Sequence, residues 1–510
     1  MGAFDVVVLG GTPGGIAAAI AAARYGRSVA VVEYHARIGG MMTSGLGKSD
    51  VENRQWIGGL FKEFTEKVHQ HYLHQYGANS ENVKLCQDGY YAEPSVAEKV
   101  LEDMIAKHSE IKVMRGWRLA KVNVENGKLT TIELVNRETQ KCQQLEAQVF
   151  IDTTYEGDLF AEAKARFRLG RESRDDFGEP HAGVIYYDYQ NHKILPGSTG
   201  ESDDRLPAYT YRLCLTTDEE NAHVLTEPPE NYDRENYVGY FEDLEAGRLS
   251  GPKVLKAGRG YHPDHFDTLF RAFSVTDIPN RKTDVNINPR PQAFPFPEEN
   301  VGYVEGDDKQ RLQICQKHHN LTLGLLWFLQ NDAEVPAAHR DIAKKYHLPK
   351  DEWAENGHFP HQLYVREARR LVGEYTLTEH DMTSDAEASR KRHDVIAIGE
   401  FPIDSFPCRK RQPGDSIVLE GYLGMLDSET QPYGIPYSIL IPEEVDGLIV
   451  PVAASTTHVA DSSIRMEPTW MCLGQAAGTA AHLSLSKDCP PRGVNLEELQ
   501  AELRRQKQVL

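Results

Sequence analysis

Apolar and polar positions along the first fifty residues fall in an order that predicts strand, turn, helix and strand. Val6-Val7-Val8-Leu9, entered from Asp5, is a short β-branched run without alternation, as expected of a strand buried on both faces. Gly10-Gly11-Thr12-Pro13-Gly14-Gly15 follows at once. Ile16 to Tyr25 is alanine-rich and free of breakers, which predicts a helix. Ser28 to Val32 predicts a second strand with Glu33 at its carboxyl end, and the whole reads as a dinucleotide-binding βαβ unit.

Further along, Leu60 to Tyr76 has helical spacing, and Glu93-Pro94 opens another helix that runs through His108. Ile111 to Leu145 alternates strand and turn, with a hairpin signal at Glu125-Asn126-Gly127-Lys128. Gln148 to Asp152 returns to the parallel sheet and leads into the turn Thr153 to Asp158, which contains Glu156. From about Gly170 to Ala397 the regular alternation gives way to loops, short strands and aromatic residues. Residues 171–397 are therefore expected to form an inserted mixed α+β substrate or cap domain. Residues 1–170 and 398–510 are the two parts of the α/β Rossmann-like domain, a parallel sheet plus a β-meander.

Within the middle part, Pro279 to Asn286 is polar and irregular, suited equally to a pocket wall and to a surface loop. His361 to Arg370 ends in Arg366-Glu367-Ala368-Arg369-Arg370, where helical spacing would put Arg366 and Arg369 together. Two readings stay open there: an arginine clamp for a carboxylated or polyhydroxyl substrate, or an ion-paired helix surface. In the last block, Leu448 to Val452 predicts a buried strand and Ala453 to Ser463 a small-residue loop containing His458. Arg465-Met466-Glu467-Pro468-Thr469-Trp470 opens a helix that carries Gly474 and Gly478 four residues apart.

The glycine turn has a chemical reading. Gly10 permits the tight exit from the strand, Gly15 lets helix meet sheet, and Gly11, Pro13 and Gly14 complete the loop. The free amides of the helix's first turn and its positive dipole end receive a pyrophosphate. Glu33 would accept hydrogen bonds from an adenosine ribose. Thr12 stands where the usual fingerprint has its middle glycine, so its side chain is expected to turn away from the phosphates. Arg37-Ile38-Gly39-Gly40 and Thr43-Ser44-Gly45 come directly after the acid, with Tyr34 and Met41 among them. A glutamate followed by R-x-G-G is similar to the FAD pattern of glutathione-reductase-type flavoproteins, which favours FAD over NAD.

Length and charge narrow the classes. At 510 residues two domains are expected. A net charge of −20 argues against nucleic acid or an anionic membrane as partner. No apolar run approaches the roughly 20 residues of a membrane span, and the amino end shows no signal peptide, so a cytoplasmic location is the default expectation. Cys86, Cys142, Cys214, Cys315, Cys408, Cys472 and Cys489 are scattered without a C-x-x-C, against a redox dithiol or a cluster; most are expected to be buried and reduced. Neither His69, His71 and His74, nor His262-x-x-His265, nor His318-His319 completes a ligand set, so no metal is expected.

The stretches GGTPGGIAAAIAAAR, RIGGMMTSGLG, FIDTTYEGDLFA, GRES, LYVREARRLVGEY and SSIRMEPTWMCLGQAAGTAA together resemble a family of bacterial FAD-dependent oxidoreductases, some of them labelled xanthan lyase-like. The resemblance runs from Gly10 to Ala481. Polysaccharide lysis needs no FAD, so the label names no substrate. The resemblance implies that Gly10, Gly15, Glu33, Arg37, Gly39, Gly40 and Thr43 contact FAD. It also implies that Asp152 and Glu156 belong to a cofactor-side turn, and that Arg465, Glu467, Pro468 and Thr469 lie over the isoalloxazine. In glutathione-reductase-type folds the final helix aims its amino end at the flavin pyrimidine. Where the family often has a histidine after its Asp-Ser, this chain has Asp404-Ser405-Phe406-Pro407-Cys408.

The expected activity is hydride transfer between flavin N5 and a small polar CH–OH or CH–NH substrate, possible carbohydrate derivatives included, with an unknown electron acceptor. His458 is the candidate base, and Arg366 and Arg369 the candidate clamp. The alternatives are a flavin-dependent reductase of a double bond fed by NAD(P)H or a carrier, and a non-catalytic binding protein on the same fold. After Asp50 there is no second glycine fingerprint for NAD(P)H.

Overall fold

The computed structural model describes residues 2–249, 271–289, 292–412 and 418–510. The His262-x-x-His265 pair lies outside them.

Five strands make the parallel core. β1 (Gly2–Leu9) is flanked by β2 (Val29–Glu33) and β6 (Cys142–Asp152); β3 (Ile111–Arg115) pairs with β2, and β10 (Leu448–Ile449) with β6. β6 is long enough to serve two arrangements. Its second half is parallel to β1, and its first half pairs antiparallel with β5 (Lys128–Asn136), which pairs with β4 (Trp117–Glu125) as a meander. The hairpin turn falls at Asn126 and Gly127, both at positive φ (52° and 79°), the backbone a tight hairpin demands.

Alternation along β1 feeds two cores. Val6 and Val8 belong to the cluster on one face, and Val7 and Leu9 to the cluster on the other. On the first face lies α1 (Pro13–Ala23), every residue of which is buried, because the long helix α6 (Glu467–Lys487) covers the side turned from the sheet. The glycines of α6 permit this. A Cβ on Gly474 would stand 1.9 Å from the Gly14 carbonyl oxygen, and one on Gly478 2.1 Å from that of Ala18. Their neighbour is thus the backbone of α1.

α2 (Gly59–Tyr76) and α3 (Pro94–Ile105) form at the expected places. In the middle of the chain β7 (Leu213–Thr216), β8 (Phe273–Ile278) and β9 (Lys282–Ile287) make an antiparallel sheet, beside the 24-residue helix α4 (Asp308–Asn331). Sequence irregularity misleads at β9, which is a buried strand. Lys282 is fully buried against Glu93, Asp351 and Glu352, and Asp284 accepts from Arg212 and from the Lys48 amide, so the polar side chains are paired rather than solvated. One apolar cluster includes Ile38, Leu213, Phe328 and Leu473, so it draws on all three parts of the chain. Cys86, Cys214, Cys408 and Cys472 are buried, and all seven cysteines are free thiols. Among the described residues no helix is long and apolar enough to cross a membrane.

Candidate functional site

β1, β2 and β6 end level with one another, since Leu9 pairs with both Val32 and Asp152. The chain leaves β1 through Gly10 at φ +104°, where a Cβ would lie 2.7 Å from the Thr153 carbonyl. Thr12 caps α1: its Oγ1 accepts from the Gly15 amide (3.2 Å) and donates to the Thr153 carbonyl (2.9 Å). Its side chain is therefore spent on the protein, turned away as the sequence suggests. Pro13 carries no N–H and Thr12 takes the Gly15 amide, so the Gly14 amide is the leading N–H without an intrahelical acceptor at the helix's positive end.

A cavity of about 1390 Å³ opens at these strand ends. Gly10, Thr12, Glu33, Tyr34, Thr154, Tyr155 and Glu156 line its sheet side together with Arg118 and Leu119 of the meander. Tyr303, the α4 residues Arg311, Cys315 and His319, and residues 359–363 close it opposite. Glu33 is buried; its carboxylate accepts from the Gly11 (2.6 Å) and His35 (2.7 Å) amides, and burial pushes its pKa up to about 7. Tyr34 donates to Asp308 at 2.6 Å. Glu156 accepts from the Tyr303 hydroxyl at 2.8 Å.

Other sequence-predicted residues support this wall without lining it. Asp152 is spent on its own turn, accepting from Thr154, Leu159 and Phe160. Arg37 pairs with Glu98 and Glu355 at the surface, a contact worth little by itself. Gly39, at φ +98°, donates to the Gly11 carbonyl, and Thr43 donates to that of Ile38. Pro13, Met41, Ser44, Pro468 and Thr469 are buried around the same junction.

At that junction Tyr155 links three segments. Its hydroxyl donates to Glu467 Oε1 and accepts from the Met41 amide (3.1 Å), and a Cβ on Gly40 would strike it at 2.2 Å. Glu467 opens α6, and burial raises its pKa to about 8. Its Oε2 and the Trp470 Nε1 are buried with no partner. Both are polar atoms that a ligand would satisfy.

The charged run 366–370 is not a helix. It is extended and pairs through Arg370–Leu371 with Phe167–Arg168, and its side chains part toward different partners. Arg369 goes to Asp158, to the Glu156 carbonyl and to that of Val304, at the cavity edge. Arg366 goes inward to the Ala208 carbonyl, Thr210 and Asn286. They do not form one clamp. Nearby, Arg465 donates to the Tyr364 hydroxyl (2.8 Å) and the Asp404 carbonyl (2.7 Å), and Arg212 lies between Asp284 and Asp50.

His458 is likewise not in a loop: it is the first residue of α5 (His458–Ile464), which Thr457 caps. Its Nδ1 lies 2.7 Å from Glu367 Oε2. Burial lowers its pKa, but Glu367 and Cys408 outweigh burial and hold it up at about 10. That is the setting of a fixed imidazolium rather than of a base poised near neutrality.

The profile of the family described as FAD dependent oxidoreductase matches residues 5–503. The chain belongs to this family. It is an FAD-dependent oxidoreductase, and FAD is its cofactor. No curated protein matches it. Among solved structures, L-proline dehydrogenase from P. horikoshii is similar at 17% identity, over 34% of this chain and 25% of that one, with a TM-score of 0.19. Glycerol-3-phosphate dehydrogenase from Bacillus halodurans, solved with FAD, is similar at 10% identity over 34% and 41%, with a TM-score of 0.24. The oxidoreductase thus spans well under half the length of either, and likenesses this slight bear no further weight.

The residues present fit FAD. Gly10, Thr12 and Glu33 line a cavity of about 1390 Å³, the Gly14 amide stands without an intrahelical acceptor, and Glu467 Oε2 and Trp470 Nε1 are buried without a partner at the start of α6. Sequence reasoning missed Tyr155, Tyr303, Tyr364 and Thr210. Tyr155 could have been flagged, since it follows the strand-end Asp152-Thr153-Thr154; the others are brought in only by tertiary folding.

Proposed function

We propose that this oxidoreductase moves a hydride between a small polar CH–OH or CH–NH substrate and N5 of FAD. The observation that carries the reading is a buried polar cluster just before α6, made by Arg366, Arg465, Arg212, Tyr364 and Thr210. Bound FAD supplies a two-electron acceptor at its ring system.

The protein's residues set the conditions for that chemistry. The Gly14 amide at the positive end of α1 would take the pyrophosphate and Glu33 the ribose. The positive end of α6 would favour negative charge on a ring system held beside it. Glu467, neutral at pH 7 through burial, offers a proton on its unpartnered oxygen instead of a repelling charge. In this reading the fold is of glutathione-reductase type and residues 171–397 are the cap. Its support is the placing of α4 and residues 359–363 over the cavity.

Anaerobic mixing of the FAD-loaded enzyme with alcohols, sugar acids and amines tests this. Bleaching of the visible flavin band by one CH–OH or CH–NH compound is expected. Bleaching by NAD(P)H alone would replace the reading with that of a reductase.

A further inference from the structure

Arg366 is 1% exposed, yet among the described residues no carboxylate touches it. Three neutral acceptors, the Ala208 carbonyl, Thr210 Oγ1 and Asn286 Oδ1, take hydrogen bonds from its two terminal nitrogens. Its Nε is buried without a partner. The guanidinium packs against Phe406 and Tyr364, 3.6 and 4.3 Å from their ring centroids. Other arginines buried as deeply are treated differently: Arg171 holds Asp203 and Glu420, and Arg370 holds Glu172 and Glu367.

The surroundings deepen the imbalance. Arg212, Arg366 and Arg465 have side-chain exposures of 9% or less, and among the described residues the carboxylates beside them that are equally dry are two, Asp284 against Arg212 and Asp461 near Arg465. Asp50 and Asp404, at 16% and 23%, reach water, which screens them. Burial, with Arg465 and Arg212 adding to it, pulls the Arg366 pKa down to about 9, the expected response of a cation short of a counter-charge. An isolated buried charge is costly unless something pairs with it, and the unpartnered Nε–H of Arg366 is a charged donor that a carboxylate oxygen would accept from.

We propose that the substrate is a carboxylate, a monoanion whose acid group seats against Arg366 while its CH–OH or CH–NH end faces the flavin. The inference rests on the function proposed above and names its substrate class. Asp50 and Asp404 at the rim select against a dianion such as a phosphate ester. Tyr364, which packs on the Arg366 guanidinium and accepts from Arg465, would orient the rest of the molecule.

The test is a binding titration of the FAD-loaded enzyme, read as a perturbation of the flavin spectrum, with bleaching recorded separately. Lactate, glycolate and gluconate are each compared with their own amides. The acids are expected to bind at least about thirtyfold more tightly than the amides, the loss typical of removing one partner of a buried charge pair. Arg366→Gln abolishes that preference and Arg366→Lys restores part of it. Should the variants fail to retain FAD, the acid-to-amide ratio of the unmodified enzyme decides. Equal binding of acid and amide overturns the assignment, as does failure of every acid to bind. Acids that bind selectively without bleaching the flavin leave this assignment standing and remove the proposed direction of hydride transfer. Neutral polyols that bleach it while acids do not bind have the opposite effect.

Discussion

His458 and Glu367 form a buried ion pair, with 2.7 Å between Nδ1 and Oε2, inside a charged knot that also holds Arg370 and Glu172. Glu172 fixes the start of α5 as well, accepting from the His458 amide at 2.9 Å. The pair therefore anchors the helix that precedes the flavin end of the molecule.

Glu367→Gln is expected to cost about 3–5 kcal/mol, because it leaves an uncompensated charge in the interior. The folded pKa of His458, about 10, lies above the unfolded value near 6.5. Its stabilising contribution is thus complete below about pH 6.5 and is lost as the pH rises toward 10. Urea melts of both proteins at pH 6 and pH 9.5 check this: the gap between them shrinks at the higher pH.

Packing of α1 on α6 makes its own demand. Gly474→Ala places a methyl 1.9 Å from the Gly14 carbonyl oxygen, so the helices must separate. A loss of about 1–3 kcal/mol is expected, as for other overpacked cores, together with weaker FAD binding, because Gly14 belongs to the phosphate turn. Gly478→Ala meets Ala18, one turn farther along, and is expected to lower the melting temperature with a smaller effect on FAD. Thermal melts and FAD titrations of both variants separate the two effects.

What the sequence made legible was local in origin. The βαβ unit, the meander and its turn, and the roles of Gly10 and Thr12 follow from period, glycine and capping. The site beyond them is tertiary. Arg366 and Arg369 sit in a run with good helix propensity, but pairing of Arg370–Leu371 with Phe167–Arg168 draws the chain out and sends the two guanidinium groups apart. His458 looked available for proton transfer because Glu367, 91 residues earlier, was not visible as its partner. Polar residues of β9 suggested a pocket wall or a surface loop equally, because their ion-pair partners lie far off in the chain. Long-range charge pairing is the recurring reason.

FAD affinity should depend on pH through Glu33. Burial raises its pKa to about 7 in the FAD-free protein, and the ionised carboxylate is the better acceptor for a ribose. Binding is expected to strengthen as the pH rises from 6 to 8 and then level off. In Glu33→Gln the affinity falls about tenfold, the worth of one hydrogen bond to a charged group, and that pH dependence disappears. Fluorescence-quenching titrations with FAD at several pH values check both points.

The cradle itself is tested most directly by the visible spectrum of the purified protein, before and after added FAD, with the Glu33→Ala variant beside it. The account predicts a flavin band that survives desalting at one FAD per chain and is weakened or lost in the variant. A colourless protein that takes up no added FAD would contradict it.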